Sequence, residues 1–326
     1  MSSNFELFIQ NNTTGQMWDI APVVQSVDWK TKRKGTPASL EIKLISDIQF
    51  DYGWPISFKA DGKDLFFGYL FKIKRGKHNN VTLTFYDQLK YLVSSTGTYV
   101  FKNFNMQQVV SAIAKDYELR VGQIEAPNIV LPEMLKEDKS PMDIIQECMD
   151  AVLVRTGRLL IFWSEYDKLR MDVPENLMIK TVLADASIIS DFEWEGSIES
   201  SANVVKLVHD NKNTGRREVY LYKNDTLIKK WGKLQYFKKM DENANEAQIK
   251  QFAEMYMQLK AKPSETISLS FSVGDYDFRA GRAVYVDVKE INLKGWYVLD
   301  EVDHKISPSG HGMEVKLFVP HQGGGK

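Results

Sequence analysis

The only thiol in this chain of 326 residues, Cys148, is the first candidate for chemistry. A reactive cysteine needs an exposed, electropositive setting that holds it as the thiolate. Cys148 falls instead beside Ile144, Ile145 and Val152, on what reads as the apolar face of a helix, where cysteine behaves as a small hydrophobe. One cysteine also excludes an intrachain disulfide and any multi-cysteine zinc site, in keeping with synthesis in a reducing cytoplasm. The five histidines are His78, His209, His304, His311 and His321. Only His304 and His311 lie close together, with Asp300, Glu301 and Asp303 just upstream. Their spacing is not the His-x-x-x-His of a metal-binding helix turn. Pro308-Ser309-Gly310 separates them, so they are expected to face each other across a hairpin. A metal ion there would need a third strong ligand that the sequence does not name, and the metal reading stays open beside the structural one.

Acidic and basic clusters admit two readings each. Glu193, Glu195 and Glu199 near Trp194 could flank a sugar as a glycosidase pair does. Glu193 and Glu195 also alternate with Phe192 and Trp194, which is more simply the wet face of one strand. The run Lys30-Thr31-Lys32-Arg33-Lys34-Gly35 reads as an exposed loop between strands. It is either a solvated turn or a charged contact with an acidic partner surface. No Gly-x-Ser-x-Gly elbow, Walker loop or Gly-x-Gly-x-x-Gly occurs. No catalytic, cofactor-binding or metal-binding residue is therefore assigned, and the chain is read as no enzyme.

The elements that would position these residues begin as β-structure. Leu40, Ile42 and Leu44 alternate with Glu41 and Lys43, the period of a half-wet strand. Asp61-Gly62 joins two aromatic-rich runs, Trp54 to Ala60 and Leu65 to Phe71, and both central positions of such a turn need positive φ. Val81 to Phe85 alternates again. The pattern then turns helical. Asn105 is placed to cap a helix carrying Met106, Val109, Val110, Ile113, Ala114 and Tyr117 on one face. Ser140 caps a second, with Pro141 at its first position and Asp143 three residues after the cap. Arg158 to Trp163 and Leu169 to Val173 read as a short hairpin. β-Structure returns near residue 187, where Val204 to His209 and Glu218 to Tyr222 flank the loop Asn213-Thr214-Gly215. A third helix spans about 245 to 260, ended by Lys262-Pro263. The last strands are marked by Leu269, Phe271 and Val273, by Val284, Val286 and Val288, by Trp296 to Val302, and by Met313 to Val319.

This last stretch echoes the first. Leu40 to Leu44 matches Leu269 to Val273. A strand follows each, then a Gly-aromatic pair, Gly68-Tyr69 or Gly295-Trp296, then a closing alternating strand. The order reads as two copies of one β-domain; the other reading is that short alternating strands look alike in any antiparallel protein. The expected fold class is α+β, mainly β: two similar antiparallel β-barrel-like domains, residues 1–97 and 187–326, separated by an α+β insert, 98–186. The second domain would carry the inserted helix.

Apolar residues make up 43% and charged residues 26%, with a formal charge of −1, a globular composition without the basic field that non-specific nucleic-acid binding needs. No run approaches the length of a membrane span, and Met1 to Gln10 does not read as a signal peptide. The chain is thus expected to be soluble when made, with Gly323-Gly324-Gly325-Lys326 a frayed tail.

Several stretches together resemble the baseplate hub proteins of contractile phage tails, most closely the XkdQ-type hubs of defective prophages and phage-tail-like bacteriocins. They are Phe104 to Ala114, Asp138 to Gln146, Ser201 to Val205, Ile228 to Gly232 with the helix to Lys260, and Leu293 to Val298 with His304 and Met313 to Leu317. The likeness covers nearly the whole chain and rests on framework residues in order and spacing. It implies a homotrimer whose two β-domains per subunit form a pseudo-sixfold ring, joining a hexameric tail tube to a trimeric central spike. The implied partners are a tail tube or tube-initiator protein, the spike and other baseplate proteins, with neither nucleic acid nor membrane among them. The implied location is the baseplate at the tail tip, after synthesis in the bacterial cytoplasm. Two other classes stand beside this one: a tail-tip cell-wall hydrolase, which would show a catalytic set, and a carbohydrate- or receptor-binding module, which would expose aromatic platforms.

Overall fold

A computed structural model describes residues 5–319 apart from 185–188, 213, 241, 243, 290 and 291. The chain divides into two compact units. One holds residues 1–192 and 268–318, the other residues 193–267 and 319–326.

The first unit opens with β1 (Phe5–Gln10), β2 (Met17–Asp19), β3 (Val24–Lys32), β4 (Ser39–Ile45), β5 (Pro55–Ala60), β6 (Lys63–Arg75) and β7 (Asn80–Tyr86). Alternation in β4 does what its pattern indicates, burying Leu40, Ile42 and Leu44. Asp61 and Gly62 take positive φ, 51° and 73°, and close the two-residue hairpin in which Ala60 faces Lys63. At the far end of the chain the sheet is completed by β18 (Ser264–Phe271), which enters the first unit at Ser268, β19 (Ala283–Val288), β20 (Leu293–Ser307) and β21 (Gly310–Phe318). The main path through the sheet runs β2, β1, β5, β6, β7, β4, β3, β20, β21, β18, β14, where β14 is Ile189–Ser197. β19 pairs with β20 and, in parallel, with β13 (Met178–Ala184).

Between these strands lies the α+β segment. It consists of α1 (Leu89–Ser94), β8 (Gly97–Phe101), α2 (Met106–Asp116), β9 (Arg120–Ile124), β10 (Met134–Lys139), α3 (Pro141–Thr156), β11 (Ile161–Glu165) and β12 (Lys168–Asp172). Asn105 accepts from the Gln108 amide at 3.0 Å and Gln108 returns the bond, a reciprocal cap. Ser140 accepts from the Asp143 amide at 3.0 Å. Val109, Ile113, Ile144, Cys148, Val152 and Met171 meet in one core. The hairpin expected after α3 is β11 and β12, and β9 joins it in parallel.

The second unit holds the hairpin and the helix expected there, and adds a third strand and a short helix. β15 (Val204–Asn211), β16 (Arg216–Lys223) and β17 (Gln235–Lys239) form a separate sheet, with α4 (Asp225–Trp231) and α5 (Glu246–Lys260). Val205 and Leu207 of β15 pack on Ile249 and Ala253 of α5. Asn213 of the β15–β16 turn lies outside the described residues, as do residue 187, where the second β-domain was expected to begin, and the Gly323 to Lys326 tail. The expectation of an α+β, mainly β fold holds, with most strand pairings antiparallel and three parallel pairings among the described residues, β9–β12, β13–β19 and β15–β17.

Candidate interaction edges and buried polar clusters

The buried groups decide whether any reactive set exists. Cys148 is fully buried in α3 with its Sγ 3.9 Å from the Met134 sulfur. Burial pushes its thiol up to about 12, and the neighbouring Glu147 adds to the rise. His304 and His311 do meet across the β20–β21 hairpin, Nδ1 to Nε2 at 2.9 Å. The Nε2 of His304 donates to the Phe278 carbonyl at 2.9 Å, so its Nδ1 accepts from the Nε2–H of His311. Burial pushes His304 down to about 4 and lowers His311 as well. Trp29 stacks on His304 at 4.9 Å and Tyr276 on His311 at 4.3 Å. Two neutral rings, each committed to protein partners, make a packed polar core rather than an acid–base pair. Among the described residues no cluster of three or more His, Cys, Asp or Glu could hold a metal ion.

The other histidines sit apart. His78 is in the turn before β7, and His209 is buried against the Glu242 carbonyl at 3.2 Å. His321 lies outside the described residues. A polar group that sequence reading missed is Asp87, which accepts from the amides of Ala38 and Leu89, both at 3.0 Å. Burial raises its carboxyl to about 7 against the pull of those amides and of Arg279. Arg279 donates to the Ser164 carbonyl at 2.6 Å. Asp87, Arg279, Thr31 and Trp163 line a small cleft.

The basic run is not the exposed loop expected of it. Lys30, Thr31 and Lys32 belong to β3, which pairs antiparallel with β20 and places Lys30 opposite Asp303 and Lys32 opposite Glu301. Lys30 Nζ reaches Asp303 at 2.6 Å, Lys32 Nζ reaches Glu301 at 2.8 Å and Arg33 reaches Asp300 at 2.8 Å. The acidic residues upstream of His304 therefore answer the basic run. The expected acidic partner is supplied, for these three cations, by the chain itself. Only the separation of more than 260 residues hid the match.

A recurrence in the sheet bears on the remaining acidic group. In strand order, β3, β4, β7, β6, β5 follow one another, and so do β14, β18, β21, β20, β19. β6 and β20 both pair first with the preceding strand and then with the following one. Each shifts register in the second pairing, between Leu70 and Lys72 and between Leu299 and Glu301. Two details depart from the expected alignment. β18 ends at Phe271, and Val273 is 72% exposed. Its buried residues are Ile267, Leu269 and Phe271, two positions earlier than the Leu269 to Val273 frame. Likewise Pro55 faces Tyr69 as Ala283 faces Val298, so Gly68 corresponds to Tyr297 and not to Gly295.

Glu193 and Glu195 lie on β14 with Phe192 and Trp194 between them, as the alternation indicates, but both faces of this strand are open. Trp194 is 59% exposed and Phe192 is 38% exposed, whereas Trp29 and Val27 of β3 are buried. β14 ends the sheet path, so one of its edges has no partner strand among the described residues. β6 has a second open stretch. Beyond Tyr69, β5 no longer pairs with it, and on the side away from β7 residues 71–75 face no strand among those described. Among the described residues the exposed large aromatics are Tyr52, Phe192, Trp194, Phe237 and Trp296, while strand aromatics such as Trp29, Phe58, Phe85 and Phe271 are buried.

The chain from residue 27 to 318 matches the model of the YQBQ-like family. It is 27% identical to the uncharacterized protein YqbQ of Bacillus subtilis (strain 168) over 319 residues, covering 96% of each chain. It is equally 27% identical to the phage-like element PBSX protein XkdQ of the same organism over 321 residues, again 96% of each. Among solved structures, the tail protein from Neisseria meningitidis MC58 superposes with a TM-score of 0.73 at 14% identity, covering 97% of both chains. Thirteen strands built around one mixed sheet, a match over nearly the whole length and relatives that share that length all agree: this chain belongs to the YQBQ-like family.

Proposed function

We propose that this chain is the structural hub of a contractile phage tail or tail-like bacteriocin. Three copies form a ring that joins the hexameric tail tube to the trimeric central spike. Residues 1–97 and 187–326 act as two similar tube-facing β-domains and 98–186 as the insert between them. The observation that carries this reading is the strand order met twice in one chain. A tube offers six equivalent edges and a spike offers three. A trimer with two like domains per subunit presents six similar surfaces while keeping true threefold symmetry. The kinship with a phage-element protein and the fold shared with a tail protein support the same setting at the tail tip. Such a ring works by shape and buried area and asks no catalysis of its residues. The arrangement of Cys148, His304 and His311 fits a non-enzymatic role. Electron microscopy of assembled tails tests it: three copies at the junction of tube and spike are expected. Six or twelve copies, or a peripheral fibre, would sink the assignment.

A further inference from the structure

An open strand edge presents unpaired N–H and C=O groups on which another chain can add a strand. Among the described residues, β14 and residues 71–75 of β6 are two such edges. The chain also contains the pattern for joining them, because the β3–β20 seam has both of their counterparts already paired.

The correspondence is residue by residue. Counting from the shared register shift, Leu70 corresponds to Leu299, Lys72 to Glu301 and Lys74 to Asp303. In the other strand, Val27-Asp28-Trp29-Lys30 corresponds to Phe192-Glu193-Trp194-Glu195. Ser190 Oγ donates to the Ser270 carbonyl and Ser264 Oγ to the Ser197 carbonyl, both at 3.0 Å, which sets β14 antiparallel beside β18 as β3 lies beside β4.

We propose that β14 of one copy pairs antiparallel with residues 71–75 of β6 in a second copy of this chain, with Glu195 opposite Lys74. Three observations bear on it. First, the charges are exchanged between the two seams. Within the chain Lys30 of β3 meets Asp303 of β20; across copies Glu195 meets Lys74. Glu193, Glu195, Lys72 and Lys74 form no ion pair among the described residues. Secondly, this exchange discriminates between partners. β14 laid on β20 would set Glu195 against Asp303, and β3 laid on β6 would set Lys30 against Lys74, both like-charge pairs that a sheet disfavours. Thirdly, Trp194 needs cover. Its counterpart Trp29 is buried on His304, and the residue of β6 in the His304 position is Arg75. Within one copy this cation donates to the Ile48 carbonyl at 2.7 Å and lies 6.0 Å from the Phe50 ring, and its exposed side chain can also meet a tryptophan face.

Each copy then offers one strand and receives one, a head-to-tail contact that closes into a ring at the right rotation. The closure at three copies rests on the hub reading; the seam does not. The test uses full-length chains carrying Lys74→Cys or Glu195→Cys, mixed and oxidised, with Cys148 left in its core. Opposed strand positions bring cysteines within disulfide reach. A disulfide between the two chains is expected to form at least about tenfold faster than between Glu195→Cys and the exposed control Lys115→Cys. Glu195→Lys is expected to weaken self-association about fivefold, and the exchanged variant K74E/E195K to restore it. Cross-linking no faster than the control, or no rescue by the exchange, overturns the seam. If tails hold three copies without the cross-link, the seam alone falls. If they hold six copies and the cross-link forms, the seam stands and the trimeric hub falls.

Discussion

Gly53 and Gly281 perform the same act in two places. Gly53 donates its amide to the Leu70 carbonyl at 2.8 Å, and Gly281 donates to the Leu299 carbonyl at 2.8 Å. Leu70 and Leu299 return the bond through their own amides, to Trp54 at 2.9 Å and Arg282 at 2.8 Å. Both glycines hold positive φ, 79° and 90°. Each turn delivers its strand, β5 or β19, to the long bent strand at the residue before the register shift.

The two sites differ in space, and so in the cost of substitution. A Cβ at Gly53 would meet only Asn12 Nδ2 at 3.8 Å, whereas one at Gly281 would fall 2.3 Å from Ile161 Cγ2. Gly53→Ala is expected to cost about 1–2 kcal/mol for its backbone alone. Gly281→Ala should cost about 1–3 kcal/mol more from overpacking. Urea unfolding of the two variants measures the difference, and equal losses would show that the Ile161 contact relaxes freely.

Cys148→Ala removes a buried sulfur from the core of the α+β segment. A loss of about 1–3 kcal/mol is expected, with assembly retained in the variant that folds. With the thiol held up at about 12, the native protein should react with a thiol reagent at pH 8 only as fast as it opens. Rapid labelling of the folded chain would contradict the buried, protonated thiol.

Much of this arrangement could be read from residues that act locally. The caps at Asn105 and Ser140, the Asp61-Gly62 turn and the alternation of β4 each depend on neighbours within a few positions. What escaped depends on distant partners. Lys30 and Lys32 look like loop residues until Asp303 and Glu301 stand opposite them. The parallel pairings of β13 with β19 and β15 with β17 leave no local mark. Nor does a single histidine announce that a tryptophan will cover it, as Trp29 covers His304. The open edges of β14 and β6 were beyond reach for the same reason, since an edge is defined by the strand that is not there.

pH should expose two buried groups of opposite sign. His304 folds with its pKa depressed from 6.5 to about 4. The unfolded chain therefore binds the extra proton first, and this stabilisation is lost as pH falls from about 6.5 toward 4. Asp87 folds with its pKa raised from 3.8 to about 7. Its contribution is full below about 4 and is lost as pH rises toward 7. The two slopes overlap and offset each other in the wild-type chain. Asp87→Asn should uncover stability that rises from pH 4 to 6.5, and His304→Gln stability that falls over the same range, each by about 2–3 kcal/mol. Denaturant midpoints in a pH series test this; the same slope in both variants would refute the assignment.

The two lysine–carboxylate seams predict a contrast between one chemical change made at matching places. Lys30→Glu sets a carboxylate against Asp303, now 2.6 Å from the Lys30 ammonium, within the β3–β20 pairing of the same chain. Lys30 is half exposed, so solvent screens the pair, and a loss of about 1 kcal/mol is expected in the unfolding of the isolated chain. Glu195→Lys reverses the charge at the corresponding position of β14, where the side chain is exposed and no strand among the described residues lies across from it. Its unfolding free energy should stay within about 0.5 kcal/mol of the wild type, because Glu195 is exposed and forms no ion pair among the described residues. Only self-association should respond. Unfolding measured at low protein concentration separates the two effects. A destabilisation by Glu195→Lys as large as that by Lys30→Glu would mean that β14 already has its partner within one copy.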